Sequence, residues 1–177
     1  MPAAPACLGT PRAAPVATGF DAKSIARLAR ESATITIPLV NALTEKVNAR
    51  DPASARFVHW GATSQDIADS AMVLLLVRAR PIVAGDHARV EGALRALSDR
   101  HARTVMLGRT LLQPAPPLTF GLKAAHWGAA IVSGWTRADA AWSAASAIQF
   151  GGASGTLASL GTKGLEVGKH FARALNL

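Results

Sequence analysis

The sequence predicts an all-α chain organised around long helices. Three observations carry this. Alanine and leucine are abundant while tyrosine is absent, a composition that favours helix over sheet. Apolar residues recur at helical spacing through residues 64–100 and again through 118–147. The stretch from Met72 to Val77 is apolar all round, as in a helix covered on several sides. With 177 residues, half of them hydrophobic and 17% charged, the chain can form one domain with a sizeable core.

Residues 1–19 form a Pro/Ala-rich tract interrupted by Pro2, Pro5, Pro11 and Pro15, which predicts a disordered tail ahead of a helical domain over 20–177. Asp21 can cap a first helix over 22–31, with Ile25, Leu28 and Ala29 on one face. Thr34-Ile35-Thr36-Ile37 is rich in β-branched residues and precedes a proline, so it reads as an extended connector. Pro38 can then open a second helix with Leu39, Val40, Leu43 and Val47 inward.

The longest element follows. Thr63 is a good cap residue and Asp66 falls three positions later, an acidic variant of the capping box. The helix predicted from about 64 to 100 would be about 55 Å long. Pro81 and Gly85 should kink it. A helix of that length suits a bundle shared between subunits. Residues 101–118 contain Gly108, Pro114, Pro116 and Pro117 and read as a connector. A second long helix spans about 118–147, with Trp127, Ile131, Trp135 and Trp142 supplying apolar area. Gly151-Gly152 breaks the pattern, and residues 163–177 form a last amphipathic helix with Leu165, Val167, Phe171 and Leu175 as its apolar residues.

The formal charge is +8. The basic residues are scattered, with no run of five like charges and no aromatic-plus-basic motif, so nucleic-acid binding has only the net charge behind it. Solvated helix faces, or attraction of an anionic small molecule, account for the charge better. Cys7 is the single cysteine, which excludes an internal disulfide and points to a reducing cytoplasm. No apolar run is long enough to span a bilayer. The five histidines are scattered without the spacing of a zinc or iron site.

Three blocks can carry chemistry. In His59-Trp60-Gly61-Ala62-Thr63-Ser64-Gln65-Asp66, the first turn of a helix offers free backbone N–H groups and a positive dipole end. A ligand carboxylate can sit there, held also by the hydroxyls of Thr63 and Ser64 and the amide of Gln65. His59 can exchange a proton near that anion. The plainer alternative is a capped helix with a packed histidine beside it. In the second block, Arg109 can clamp a carboxylate with its guanidinium fork. Thr110 and Gln113 add neutral donors, and Lys123 adds a second cation. The alternative is a loop-to-helix junction with surface charges. The third block, Gly151-Gly152-Ala153-Ser154-Gly155-Thr156, fits a helix break better than a phosphate cradle, because the Gly-Lys-Ser/Thr of a Walker loop is missing.

Taken together, these blocks resemble the fumarase/aspartase superfamily, most closely its 3-carboxy-cis,cis-muconate cycloisomerase branch. The resemblance lies in His-Trp-Gly-Ala-Thr-Ser-Gln-Asp, in Arg-Thr-Leu-Leu-Gln followed by Thr-Phe-Gly-Leu-Lys-Ala-Ala, and in Gln-Phe-Gly-Gly-Ala-Ser-Gly-Thr. It covers roughly residues 20–170. It implies a long-helix bundle, a homotetramer whose active sites each draw on three subunits, and no metal or organic cofactor. It also implies an anionic polycarboxylate substrate. The implied reaction is reversible lactonisation of 3-carboxy-cis,cis-muconate to 4-carboxymuconolactone, in the protocatechuate branch of aromatic catabolism. His59 would be catalytic. Thr63, Ser64, Gln65, Arg109, Thr110, Gln113 and Lys123 would bind substrate.

Two departures qualify the resemblance. The lyase branches carry His directly after the Arg-Thr pair, whereas this chain has Leu111. The muconate branch also lacks that His, so Leu111 argues against fumarase, argininosuccinate or adenylosuccinate chemistry. The family's later Ser-Ser-x-Met-Pro-x-Lys block and its usual N-terminal domain have no counterpart, so a partial chain, inactive by itself, is expected. The alternatives are another lyase of the superfamily, of the adenylosuccinate type, and a non-catalytic fragment that only self-associates.

Overall fold

The computed structural model describes residues 19–177. The tail expected over 1–19 lies outside these residues except for Gly19, and Cys7 lies outside them too. Asp21 opens the first helix as the sequence predicts. Its Oδ1 accepts the N–H groups of Lys23 and Ser24 at 3.1 Å, and helix α1 runs over Ala22–Ser32 with Ile25 buried. Helix α2 covers Thr36–Asn48, so the connector expected over 34–37 is shorter than predicted. Pro38 falls inside the first turn, where its missing N–H costs nothing, and the helix can start ahead of it. A four-residue helix α3 follows at Pro52–Ala55, capped by Asp51.

Helix α4 runs unbroken over Ser64–Arg100 and contains Pro81. Residues 101–118 are more ordered than a connector. Strands β1, Val105–Thr110, and β2, Gln113–Thr119, pair antiparallel as a two-stranded sheet, with Thr110 opposite Gln113 and Val105 opposite Thr119. Helix α5 then spans Phe120–Ala145, with the Thr119 hydroxyl accepting Leu122 N–H at 3.1 Å. A short 3₁₀ turn over Ala158–Lys163 leads into helix α6, Gly164–Leu175.

These elements form two compact units. One takes the chain up to Ala68 together with Phe150–Leu165, and the other takes Asp69–Gln149 with Glu166–Leu177. In the first, Thr36 at the start of α2 is 1% exposed, and its hydroxyl donates to the Ser64 carbonyl at the start of α4, at 3.4 Å. In the second, α4 and α5 lie side by side and antiparallel. Arg80 pairs with Asp139, His87 stacks on Trp135 at 5.0 Å, and Leu94 lies beside Gly128. At the far end α5 comes so close that a Cβ on Gly121 would stand 2.5 Å from the Ser98 carbonyl.

The apolar interior is thin. Among the described residues only Ile25, Ala55 and Ala124 are buried hydrophobic side chains. Met72 and Leu75, expected inside, are 58% and 63% exposed, and Leu165 of α6 is exposed as well. The helical pattern is right, but among the described residues α4 has α5 beside it and exposes apolar side chains elsewhere.

Candidate functional site

The first unit builds its site around one carboxylate. Asp66 sits in the first turn of α4 and is 1% exposed. Its Oδ2 accepts the Thr63 N–H at 2.9 Å, which is half of the capping box read from the sequence. The same carboxylate also reaches a distant loop. Gly151 N–H donates to Oδ1 and Gly152 N–H to Oδ2, each at 2.9 Å. Three backbone donors therefore converge on one side chain. Such charge-assisted bonds in a water-excluded place are among the strongest a fold makes.

Gly152 is held by more than these bonds. Its φ is +71°, in the left-handed region, and a Cβ there would stand 2.8 Å from the Gly61 carbonyl oxygen. The glycine-rich block is thus a tight turn packed against the approach to α4. Its Gly151 N–H and Gly152 N–H face an internal carboxylate rather than a ligand. Further along, Leu157 N–H closes the loop on the Gly151 carbonyl at 3.0 Å, and the Ser154 and Thr156 hydroxyls bond to each other at 3.0 Å.

The residues predicted around this cap are present together. Thr63 and Ser64 are half-buried and Gln65 is exposed at the mouth of the helix. His59 lies on the turn ahead of it, with φ +60°, unusual for a side chain of that size. Its Nε2 is buried and has no hydrogen-bond partner among the described residues, while its carbonyl accepts Ala62 N–H at 3.2 Å. A buried ring nitrogen with an open valence can take or give a proton to a bound group.

The second unit carries the cationic group. Thr110 and Gln113 face each other across the last rung of the hairpin, and Arg109 lies opposite Pro114. The sheet therefore brings Arg109, Thr110 and Gln113 to one hairpin end, all exposed. The turn between them is Leu111-Leu112, with φ of 48° and 62° and exposures of 90% and 103%. Lys123 lies in the first turn of α5, and its Nζ stands 5.3 Å from the Trp127 ring centre, a cation–π contact. Among the described residues no group of three or more His, Cys, Asp or Glu could hold a metal ion.

What the sequence reading missed is the reach of Asp66 and, one turn on, of Ser70. Ser70, 2% exposed, donates its hydroxyl to the Gln149 carbonyl and accepts the Gln149 N–H, both at 3.1 Å. Their spacing of four puts both side chains on one face of α4, the signal that could have marked them as a pair.

Comparison with known proteins adds the following. The model of a family described as "Lyase" matches residues 15–177. The chain is 44% identical over 172 residues to a 3-carboxy-cis,cis-muconate cycloisomerase of Bradyrhizobium diazoefficiens, covering 97% of this chain and 38% of that protein. It is 46% identical over 139 residues to a nitrosuccinate lyase of Streptomyces davaonensis, covering 78% of this chain and 29% of that protein. The crystal structure of beta-carboxy-cis,cis-muconate cycloisomerase from Acinetobacter calcoaceticus superposes with a TM-score of 0.85 at 37% identity, over 90% of this chain and 37% of that one. The chain thus spans well under half the length of the relatives it matches.

Proposed function

Because the chain belongs to the lyase family, within the fumarase/aspartase superfamily, we propose that it is part of a cycloisomerase acting on 3-carboxy-cis,cis-muconate. The observation that carries this is the identity of 44% across nearly the whole chain to a protein of that name. Residues 20–177 are on this reading one portion of a helical lyase domain.

The chemistry asked of the site is the addition of one substrate carboxylate oxygen to a carbon of the double bond, with a proton added at the neighbouring carbon, and its reverse. The substrate carries three carboxylates, so binding is a problem of holding negative charge. Ser64 and Gln65 at the start of α4 offer backbone donors and the positive end of the helix dipole. Arg109 offers a bidentate fork, with Thr110 and Gln113 as neutral donors. Lys123 adds positive charge at the start of α5. His59, with its unsatisfied ring nitrogen, is suited to the proton. Negative charge building up during addition calls for donors fixed before the reaction begins. No organic cofactor or metal is needed for such a step.

Assembly into a homo-oligomer, a tetramer by the family resemblance, is part of this proposal. Three buried apolar side chains among the described residues are a small core for so many helices, and α4 and α5 leave Met72, Leu75, Ile82, Trp127 and Ile131 exposed. Burial of apolar surface contributes about 25 cal/mol per Å², so those faces gain by being covered. No helix among the described residues is long and apolar enough to cross a membrane. We place the protein in the cytoplasm.

A second substrate has a specific observation behind it. The nitrosuccinate lyase is 46% identical, and its substrate by name is also a polycarboxylate. The test is a chimera in which residues 20–177 replace the matching segment of the Bradyrhizobium cycloisomerase, assayed with 3-carboxy-cis,cis-muconate and with nitrosuccinate. Turnover of the muconate is expected. His59→Ala and Arg109→Ala should each lower kcat/KM by about 10²-fold or more. Near-parental rates in both variants would remove the site assignment, and turnover of nitrosuccinate alone would reassign the substrate.

A further inference from the structure

We propose that Asp66 is a positioning residue that acts as a built-in anion, locking the glycine turn 151–152 to the helix cap so that the first turn of α4 at Ser64 is held in place for a ligand carboxylate. The inference deepens the reading above and rests on it only for the identity of the ligand class. It starts from a count of donors. Thr63 N–H, Gly151 N–H and Gly152 N–H all end on the Asp66 carboxylate at 2.9 Å. A cluster of three backbone N–H groups is itself an anion-binding concavity. Left open beside a helix N-terminus, it would compete with the helix cap for any multiply negative ligand. Asp66 fills it, and at 1% exposure it excludes water while doing so.

Geometry ties the two loops to each other through this one group. The turn also packs on the approach to α4, since the Gly61 carbonyl lies where a Gly152 Cβ would be. Thr36 braces the cap from another direction, through its bond to the Ser64 carbonyl. The carboxylate therefore holds the Thr63–Asp66 turn and the Gly151–Gly152 turn at a fixed separation. Asparagine is nearly isosteric but cannot replace it, because an amide turns an N–H₂ group toward one of three N–H donors. Alanine leaves the concavity empty.

The test uses the 177-residue chain with two readouts: calorimetric binding of propane-1,2,3-tricarboxylate, and amide hydrogen exchange at Gly151, Gly152, Ser64 and Gln65. Asp66→Asn is expected to bind the tricarboxylate at least tenfold more weakly, with faster exchange at both glycines. Asp66→Ala should behave the same way, and added formate should restore its slow exchange and part of its affinity, because formate fits the vacated concavity. Formate should leave the parent chain unchanged. Binding by Asp66→Asn within twofold of the parent overturns the positioning role. If the parent itself does not bind the tricarboxylate, this portion alone does not form the pocket, the chimera above remains the test of the substrate, and exchange decides this inference alone: unaltered protection in Asp66→Asn, or no response of Asp66→Ala to formate, overturns it.

Discussion

The turn at Gly152 and the turn at Leu111-Leu112 require the same thing of the backbone and meet it in opposite ways. Both need positive φ, of 71° at Gly152 and of 48° and 62° at the two leucines. At Gly152 the residue type is the one without a Cβ to clash, and the surroundings are polar, close and satisfied. At the hairpin tip two branched apolar side chains occupy positions that favour Asn-Gly, and both stand in solvent. The geometry of the first turn is secured inside the chain. That of the second carries left-handed strain that Asn and Gly would relieve, so Leu111 and Leu112 do not stabilise the isolated hairpin. A surface beyond this chain, covering the tip, would account for both the strain and the exposure.

The comparison breaks most directly at Gly152. Gly152→Ala should destabilise the chain by about 2–4 kcal/mol, from left-handed backbone strain plus the forced retreat of the Gly61 carbonyl. Gly155, with φ +77° and nothing within 4 Å of its would-be Cβ, isolates the first of these contributions. Gly155→Ala should therefore cost only about 1 kcal/mol. Denaturant unfolding of the two variants side by side measures the difference. Equal losses would mean that the packing of the glycine turn on Gly61 contributes nothing.

The hairpin should respond with the opposite sign. Replacing Leu111-Leu112 by Asn-Gly is expected to stabilise the chain by about 1–3 kcal/mol, since the left-handed penalty is relieved at two positions. In the assembled cycloisomerase chimera the same change should lower activity or weaken subunit association. Thermal unfolding of the chain and sedimentation of the chimera read the two effects separately. A substitution that leaves both unchanged would show the leucines to be neither strained nor used.

Much of the helical frame was legible because its signals are local. Asp21 caps α1, and α4 occupies 64–100, because caps and a 3.6-residue period act within a few residues of each other. The hairpin was hidden by Pro114, Pro116 and Pro117, which argue against a strand in general. They are tolerated in β2 because a two-stranded sheet leaves one edge of each strand without a partner. Met72 and Leu75 were misjudged for a different reason: periodicity identifies an apolar face but says nothing about whether the same chain covers it. In the candidate site, Thr63, Ser64 and Gln65 fall together by sequence alone, and so do Arg109, Thr110 and Gln113; what the sequence did not give is the hairpin that sets Thr110 opposite Gln113. The bond from Asp66 to Gly151 spans 85 positions and leaves no local trace.

The smallest effect concerns a carboxylate that does in the open what Asp66 does in the interior. Asp51 caps α3. Its Oδ1 accepts the N–H groups of Ala53 and Ser54 at 3.1 and 3.3 Å, and its Oδ2 accepts the Ser54 hydroxyl. The Ser54 hydroxyl is the main cause that holds the Asp51 carboxyl below its ordinary value of 3.8; the Ser54 N–H adds to it, desolvation works against it, and the Ala53 N–H contributes least. A carboxyl whose pKa falls on folding stabilises the fold where it is ionised, above 3.8, and that contribution fades as pH drops below this value. The group is fully exposed, so solvent and salt screen the effect. Asp51→Asn should therefore melt only slightly below the parent chain near neutral pH, by much less than Gly152→Ala. The gap should narrow as the pH is taken from about 5 to about 3, as the linkage requires. Ser54→Ala should close most of the gap by itself, because it removes the bond that contributes most. A difference in melting temperature that stays constant across this range would mean that Asp51 caps α3 by its shape and hydrogen bonds, and that its charge contributes nothing measurable.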